Sequence, residues 1–197
     1  MISRNGNGRY TLGKVVQGED RKSFGLKPIS RKKGGCALNS FELIRASHEY
    51  KEVIRNLMQF YVYDFSEFEP CDVEADGLFG PYPYLEDYWK EESLRYPYVI
   101  KQNDKYAGFV LVRLIESGER RYFSMAEFFM MKKYRKKGIG KSVAKQIFHL
   151  HKGQWEVFQL ESNQPARIFW TKVIDEFTQG QFKARVENGR TIQEFMS

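Results

Sequence analysis

Apolar and polar side chains alternate along Phe41-Glu42-Leu43-Ile44-Arg45-Ala46, the period of a short strand. Beyond Ser47, a residue suited to an N-cap, Tyr50, Val53, Ile54, Leu57, Met58 and Tyr61 recur at steps of three and four. That spacing predicts one apolar face of an amphipathic helix. Residues 66–84 are interrupted by Pro70, Gly77, Gly80, Pro81 and Pro83 and read as loop, with a short helix expected around 85–93. Three strands follow at Tyr98–Gln102, Tyr106–Ile115 and Phe123–Met131, joined by turns at Asn103-Asp104-Lys105 and Ser117-Gly118-Glu119, which makes an antiparallel meander. The period then changes. Ile139, Val143, Ile147 and Leu150 line a helix face, Trp155–Leu160 is a strand, and a helix runs from Pro165 to Ile174. Gln181–Val186 and Thr191–Phe195, linked by Glu187-Asn188-Gly189-Arg190, close the chain as a hairpin. The fold class is therefore mixed α/β: an antiparallel meander, a βαβ unit and a C-terminal hairpin, in a sheet of six to seven strands flanked by helices.

The 197 residues suit one ordinary domain with an extension, and the 42% hydrophobic content is enough for a core. No apolar run is long enough to span a bilayer, and residues 1–6 lack the apolar segment of a secretory signal. Cys36 and Cys71, with His48, His149 and His151, are too scattered for a zinc site or disulfide framework, so no metal and a cytoplasmic setting are expected. The net charge of +7 points at first to nucleic acid. All of it resides in residues 1–38, where nine basic groups face two acidic ones. Residues 1–38 thus read as a basic, glycine-rich extension and residues 39–197 as a neutral domain. Nucleic acid is disfavoured as the domain's partner.

The richest stretch chemically is Phe129-Met130-Met131-Lys132-Lys133-Tyr134-Arg135-Lys136-Lys137-Gly138-Ile139-Gly140-Lys141-Ser142. An apolar strand ends, bases and two glycines follow, and a helix begins. A helix start offers unpaired N–H groups and a positive dipole end, and glycine lets an anion approach them. A Walker A loop fails because Arg135 stands where its first glycine belongs, and a dinucleotide fingerprint fails at Val143. Arg135-Lys136-Lys137-Gly138-Ile139-Gly140 resembles the pyrophosphate-binding signature of the GNAT superfamily of N-acetyltransferases. Glu127–Tyr134 is similar to that family's central strand, and Asn163-Gln164-Pro165-Ala166-Arg167-Ile168-Phe169-Trp170 to its second motif. The resemblance covers about residues 40–196.

The resemblance implies a centrally splayed sheet and acetyl-coenzyme A as co-substrate. Its pyrophosphate would lie on Arg135, Lys136, Lys137, Gly138, Ile139, Gly140 and Lys141. Its arm would enter a wedge between Met130 and Met131 on one strand and Val157–Leu160 on the other. An N–H near Met130 would hold the developing oxyanion, and Glu127, just before an expected bulge, would be the base. Asn163 would bond the cofactor arm or cap its helix, and Ala166 would pack against it. Trp170 stands where the family has a tyrosine acid. Another tyrosine such as Tyr134 would then supply the proton, or the thiolate would leave unaided. For either His149 or His151, a solvated or helix-capping role outweighs a catalytic one.

Residues 60–89 hold ten aromatic and eight acidic residues and no lysine or arginine. Acids among aromatics suit a cationic amine, with Tyr61, Asp64, Tyr82 and Tyr84 as candidates for the acceptor pocket. The competing reading makes the aromatics core and the acids a solvated loop. The expected activity is acetyl transfer to a primary amine of a small, cationic acceptor by direct attack on the thioester. Protein or peptide N-acetylation and a non-catalytic acetyl-coenzyme A sensor are the alternatives. Homodimerisation through edge strands, common in the family, stays open.

Overall fold

The computed structural model describes residues 41–197, so the expected extension over residues 1–38 lies outside the described residues. Strand β1 (Glu42–Arg45) leads through a 3-10 turn (His48–Tyr50) into helix α1 (Lys51–Phe65). Ser47 precedes that turn rather than the α-helix, and its hydroxyl donates to the Glu49 carboxylate at 2.9 Å. The expected N-cap is therefore not made; α1 starts one short turn later, at Tyr50. After a loop and the single turn α2 (Asp87–Lys90) come β2 (Arg95–Gln102), β3 (Lys105–Ser117) and β4 (Arg120–Met130). The tight β2–β3 turn is made by Asn103 and Asp104, at φ 50 and φ 59. Helix α3 (Ile139–Leu150), β5 (Gln154–Leu160), helix α4 (Gln164–Thr178), β6 (Lys183–Glu187) and β7 (Arg190–Met196) complete the chain.

The strands form a seven-stranded sheet in the order β1-β2-β3-β4-β5-β7-β6. Every pairing is antiparallel except β4 with β5, where the α3 crossover brings the chain back in the same direction. Each face buries its own core. On one, α1 lays Ile54, Leu57, Met58, Tyr61, Val62 and Phe65 over Val99, Phe109, Leu111 and Phe129. On the other, α3 and α4 pack Ile139, Val143, Ile147, Phe148, Trp170 and Ile174 against Val110, Val112, Met125 and Trp155. Trp155 is fully buried, so its removal would cost about 3–5 kcal/mol. Leu150, expected on the buried face of α3, is 47% exposed at the fraying end of the helix, and Ala144 and Phe148 are buried instead.

A bulge decides which face the middle of β4 presents. Leu111 of β3 pairs with Glu127 and Val112 with Met125, which leaves Ala126 as the extra residue. Simple alternation from Phe123 would place Glu127 on the same face as Met125. The inserted residue shifts the parity, so Ala126 and Phe129 enter the α1-side core while Met125, Phe128 and Met130 belong to the α3–α4 side. The bulge thus lies before Glu127, not after it as expected, and it turns Glu127 toward α1.

Candidate functional site

Strands β4 and β5 pair only at Phe123–Trp155 and Ser124–Glu156. Beyond those pairs β4 continues to Met130, held along its other edge by β3, and β5 continues to Leu160, held by β7. The two strands therefore part toward their C-terminal ends, and a gap opens in the middle of the sheet. The Met131 N–H donates to Ala107 O at 2.8 Å, which makes Ala107 and Met131 a hydrogen-bonded pair. By the alternation of an antiparallel ladder, the N–H groups of Phe128 and Met130 then point away from β3, toward the gap.

Helix α3 begins beside the same opening. A 3-10 turn (Lys132–Tyr134) ends β4, Lys136 takes φ 58, and Gly138 caps the helix at φ 80, a left-handed conformation that costs glycine least. The first intrahelical bond runs from Ser142 N to Gly138 O at 3.1 Å, so the N–H groups of Ile139, Gly140 and Lys141 have no acceptor within the helix. A Cβ on Gly140 would lie 3.6 Å from the Phe169 ring and 3.8 Å from Met130 Cγ, which sets Gly140 at the mouth of the gap. Lys136 and Lys137 stand exposed around it.

The other side chains of the turn are directed elsewhere. The Arg135 Nε donates to Met130 O at 2.6 Å, and its guanidinium pairs with Asp64 and lies over the Phe129 ring. Lys132 joins Asp64 at 3.3 Å, so this acid, proposed for the acceptor pocket from the sequence, ties α1 to the turn. Ile139 is fully buried and offers only its N–H, and Lys141 reaches Glu176 of α4 at 3.0 Å. The Asn163 Oδ1 accepts from Ala166 N at 3.0 Å, an N-cap of α4. Trp170 is buried against Phe128, Phe148 and Phe169, with Phe169 the residue nearer Gly140. Neither Trp170 nor Phe169 carries a proton acid. His151 caps α3, buried, with its Nε2 2.8 Å from Tyr98 Oη.

On the α1 face, Glu127 is 2% exposed and takes a tyrosine hydroxyl on each oxygen. Tyr61 Oη donates to Oε2, and Tyr82 Oη donates to Oε1 at 3.1 Å. Burial first, and then the Glu127 charge, push both tyrosine hydroxyls well above their ordinary pKa, so both stay protonated donors. Tyr84 packs edge-on against Tyr82. Three acids of residues 60–89 are engaged by the protein's own bases: Asp64 as above, Glu86 with Lys51 and Arg55, and Asp87 with Arg95.

A sequence model of the acetyltransferase (GNAT) family matches residues 58–174, more than half of the chain, from within α1 through the gap into α4. The chain belongs to this family. No curated protein sequence matches it. Among solved structures, the fold is similar to the PaiA N-acetyltransferase of Thermoplasma acidophilum in complex with coenzyme A. That pair shares 14% identity at a TM-score of 0.55, over 81% of this chain and 100% of the other. It is also similar to an acetyltransferase of Thermus thermophilus, with 10% identity and a TM-score of 0.57 over 81% of this chain and 97% of the other. A GNAT-family acetyltransferase of Listeria monocytogenes gives 12% identity and a TM-score of 0.57 over 80% and 95%.

As a member of this family the chain is an acyltransferase that uses acetyl-coenzyme A as co-substrate. Among the described residues no helix is long and apolar enough to cross a membrane, and no group of three His, Cys, Asp or Glu residues could hold a metal. Several residues of the acetyltransferase escaped the sequence reading. Gly108 touches the β4 backbone beside Met130, Phe169 lies at the mouth of the gap, and Tyr88 and Arg113 are on the Glu127 face. For Gly108 and Arg113 a signal existed: each interrupts the apolar strand Tyr106–Ile115.

Proposed function

We propose that this acetyltransferase moves the acetyl group of acetyl-coenzyme A to the primary amine of a small acceptor, by direct attack of the amine on the thioester. The observation that carries the reading is the gap between β4 and β5 opening beside the glycine-capped start of α3. The residues fit a diphosphate: three N–H groups without helical acceptors, a glycine at the mouth, and exposed Lys136 and Lys137 to offset its charge. Arg135 acts from behind, fixing the turn to Met130 O and Asp64. The gap would take the pantetheine arm, and the Met130 N–H would polarise the thioester carbonyl.

The acceptor arrives as an ammonium ion, cationic at its reacting end, and must lose a proton before it attacks. Glu127 would receive that proton through the Tyr82 hydroxyl bonded to its Oε1, while Tyr61 holds the second oxygen. In this reading Glu127 supplies the negative charge the amine meets, and Asp64, Glu86 and Asp87, three of the eight acids of residues 60–89, are already paired. No acid is needed for the departing thiolate, whose conjugate acid has a pKa of ~8.5. Trp170 packs the core behind the gap, and Asn163 and Ala166 set the start of α4 beside it. Residues 39–197 form the catalytic domain of this reading and residues 1–38 an extension to it. Calorimetry with acetyl-coenzyme A and thiol release with a panel of primary amines test the proposal. Binding together with amine-dependent thiol release supports it, and no heat with the thioester overturns it.

A further inference from the structure

Arg95 of β2 and Arg113 of β3 stand directly opposite one another in the sheet. Arg113 shares the parity of Phe109 and Leu111, so both arginines lie on the α1 face, as Glu127 does. Like charges opposed across a ladder repel unless each is neutralised. Arg95 is: its Nε donates to Glu91 at 2.6 Å and its guanidinium pairs with Asp87 at 3.6 Å. Arg113 forms no ion pair among the described residues, and its Nε is buried without a hydrogen-bond partner. Beside it, Tyr88 is 1% exposed, with its hydroxyl buried and without a close hydrogen bond; the Arg95 guanidinium lies against its ring, one terminal nitrogen likewise buried and unpartnered. A guanidinium does not deprotonate, so the mismatch cannot be relieved by losing a proton. Three buried donors, and a guanidinium with no ion-pair partner among the described residues, therefore lie on one patch, with Glu127 further along the same face. Their complement is an anion with several lone pairs, of which a carboxylate is the simplest.

The patch belongs to the Glu127 site. Tyr82 donates to Glu127, and its hydroxyl, pushed up chiefly by burial and by Glu127, is pulled back by the Arg113 charge. Tyr88, raised chiefly by burial, is pulled down by Arg113 and by the neighbouring Arg95 guanidinium, and pushed up by Glu127. Both charges thus act on the same two phenols. Glu127 pairs with Leu111, and Arg113 lies two residues further along β3, about 7 Å away at the usual rise of a strand.

Resting on the acetyl-transfer reading above, we propose that Arg113 and Tyr88 bind a carboxylate carried by the acceptor, so that the substrate is an amino-carboxylate. Its amine meets Glu127 and Tyr82, and its carboxylate meets the Arg113 guanidinium and the Tyr88 hydroxyl. The backbone offset of about 7 Å between the two positions leaves room for an amine and carboxylate separated by several atoms.

The test measures kcat/KM with acetyl-coenzyme A for glycine, 4-aminobutyrate and 6-aminohexanoate, each against its own carboxamide. The full chain is used as wild type, Arg113→Gln and Tyr88→Phe, with thermal unfolding of each. The wild type should prefer carboxylates over carboxamides at least tenfold, most strongly for the longer acceptors. Arg113→Gln should bring that ratio near one through KM, and Tyr88→Phe, which removes a single oxygen and keeps the ring, should lower it several-fold. A wild type indifferent to the carboxylate, or a preference that survives in both variants, overturns the proposal. Thiol release with simple amines but with none of the carboxylates overturns it too while sparing acetyl transfer, whereas a lack of acetyl-coenzyme A binding sinks the underlying reading.

Discussion

Gly108→Ala is expected to loosen the fold at the place where the proposed oxyanion donor, the Met130 N–H, is held. A Cβ built on Gly108 would lie 2.0 Å from Phe129 O, 3.0 Å from Phe129 C and 3.2 Å from Met130 Cα. All three are backbone atoms, so no side chain can rotate away to make room. The closeness has two sources. The β2–β3 register slips between Ile100 and Lys101, with Gly108 opposite Ile100 and Tyr106 opposite Lys101, so Ala107 is a bulge that adds twist to β3. Gly108 and Met130 also form the narrow, non-hydrogen-bonded type of pair, since the neighbouring Ala107–Met131 pair carries the hydrogen bond. An ordinary carbon–oxygen contact needs over 3 Å, so β4 must retreat by about 1 Å. Overpacking of this kind costs about 1–3 kcal/mol, and weakening the flanking ladder bonds adds about 1 kcal/mol. For a domain of this size that lowers Tm by roughly 5–15 °C.

The retreat would carry the Met130 N–H with it. A misplacement of about 1 Å at a reacting carbonyl costs on the order of a hundredfold in rate. Gly108→Ala should therefore lose far more in kcat than its stability explains at a temperature where it remains folded. Thermal unfolding and thiol-release kinetics at 20–25 °C below its own Tm, run beside Gly80→Ala, separate the two effects. Gly80 has ordinary φ and only Glu74 Oε1 nearby, at 3.7 Å, so its alanine variant should match the wild type. An unchanged Tm and kcat for Gly108→Ala would refute the reasoning about β4.

If Glu127 is the base as proposed, Glu127→Gln should lower kcat at least a hundredfold while leaving acetyl-coenzyme A affinity within twofold by calorimetry, because it lies on the α1 face and not at the start of α3. Gly138→Asp should abolish measurable cofactor binding, since it adds a negative charge at the start of α3 and a Cβ at φ 80. His151, buried against Tyr98 and facing Arg45, has its pKa lowered to about 4, first by burial and then by the Arg45 charge. Because the folded value lies below the unfolded ~6.5, the unfolded chain binds the extra proton first. This residue's share of stability is full above pH 6.5 and falls toward pH 4, by about 2–3 kcal/mol; chemical denaturation at pH 7 and pH 4.5 should show His151→Gln with a smaller loss than the wild type.

Much of this architecture follows from local pattern. The α1 face, the meander and the glycine turn are legible because each depends on a period or on one residue's conformational freedom, which a single segment carries. What escaped depends on two segments at once. The direction of Glu127 hangs on Ala126 being an extra residue opposite β3, and alternation along β4 alone gives the opposite face. Asp64 and Glu86 look available for a cationic ligand because their bases lie elsewhere in the sequence, Arg135 of the turn for Asp64 and Lys51 of α1 for Glu86. The gap itself is a property of register, since nothing in the composition of β4 or β5 says that their pairing stops after Ser124 and Glu156.

Arg113 marks the boundary between these cases. Within Phe109-Val110-Leu111-Val112-Arg113-Leu114-Ile115 it is the one charge in an apolar run, a conflict between residue and environment visible without coordinates. Such a conflict has two structural resolutions, an ion pair with a neighbour or a face turned to water. The fold gives Asp87 and Glu91 to Arg95, leaves Arg113 without an ion-pair partner among the described residues, and buries its Nε while the side chain as a whole is half-buried. The proposed substrate carboxylate would supply the opposite sign that no described side chain brings to Arg113 as an ion pair. On that ground Arg113, more than the aromatic and acidic loop, should decide which amines this acetyltransferase accepts.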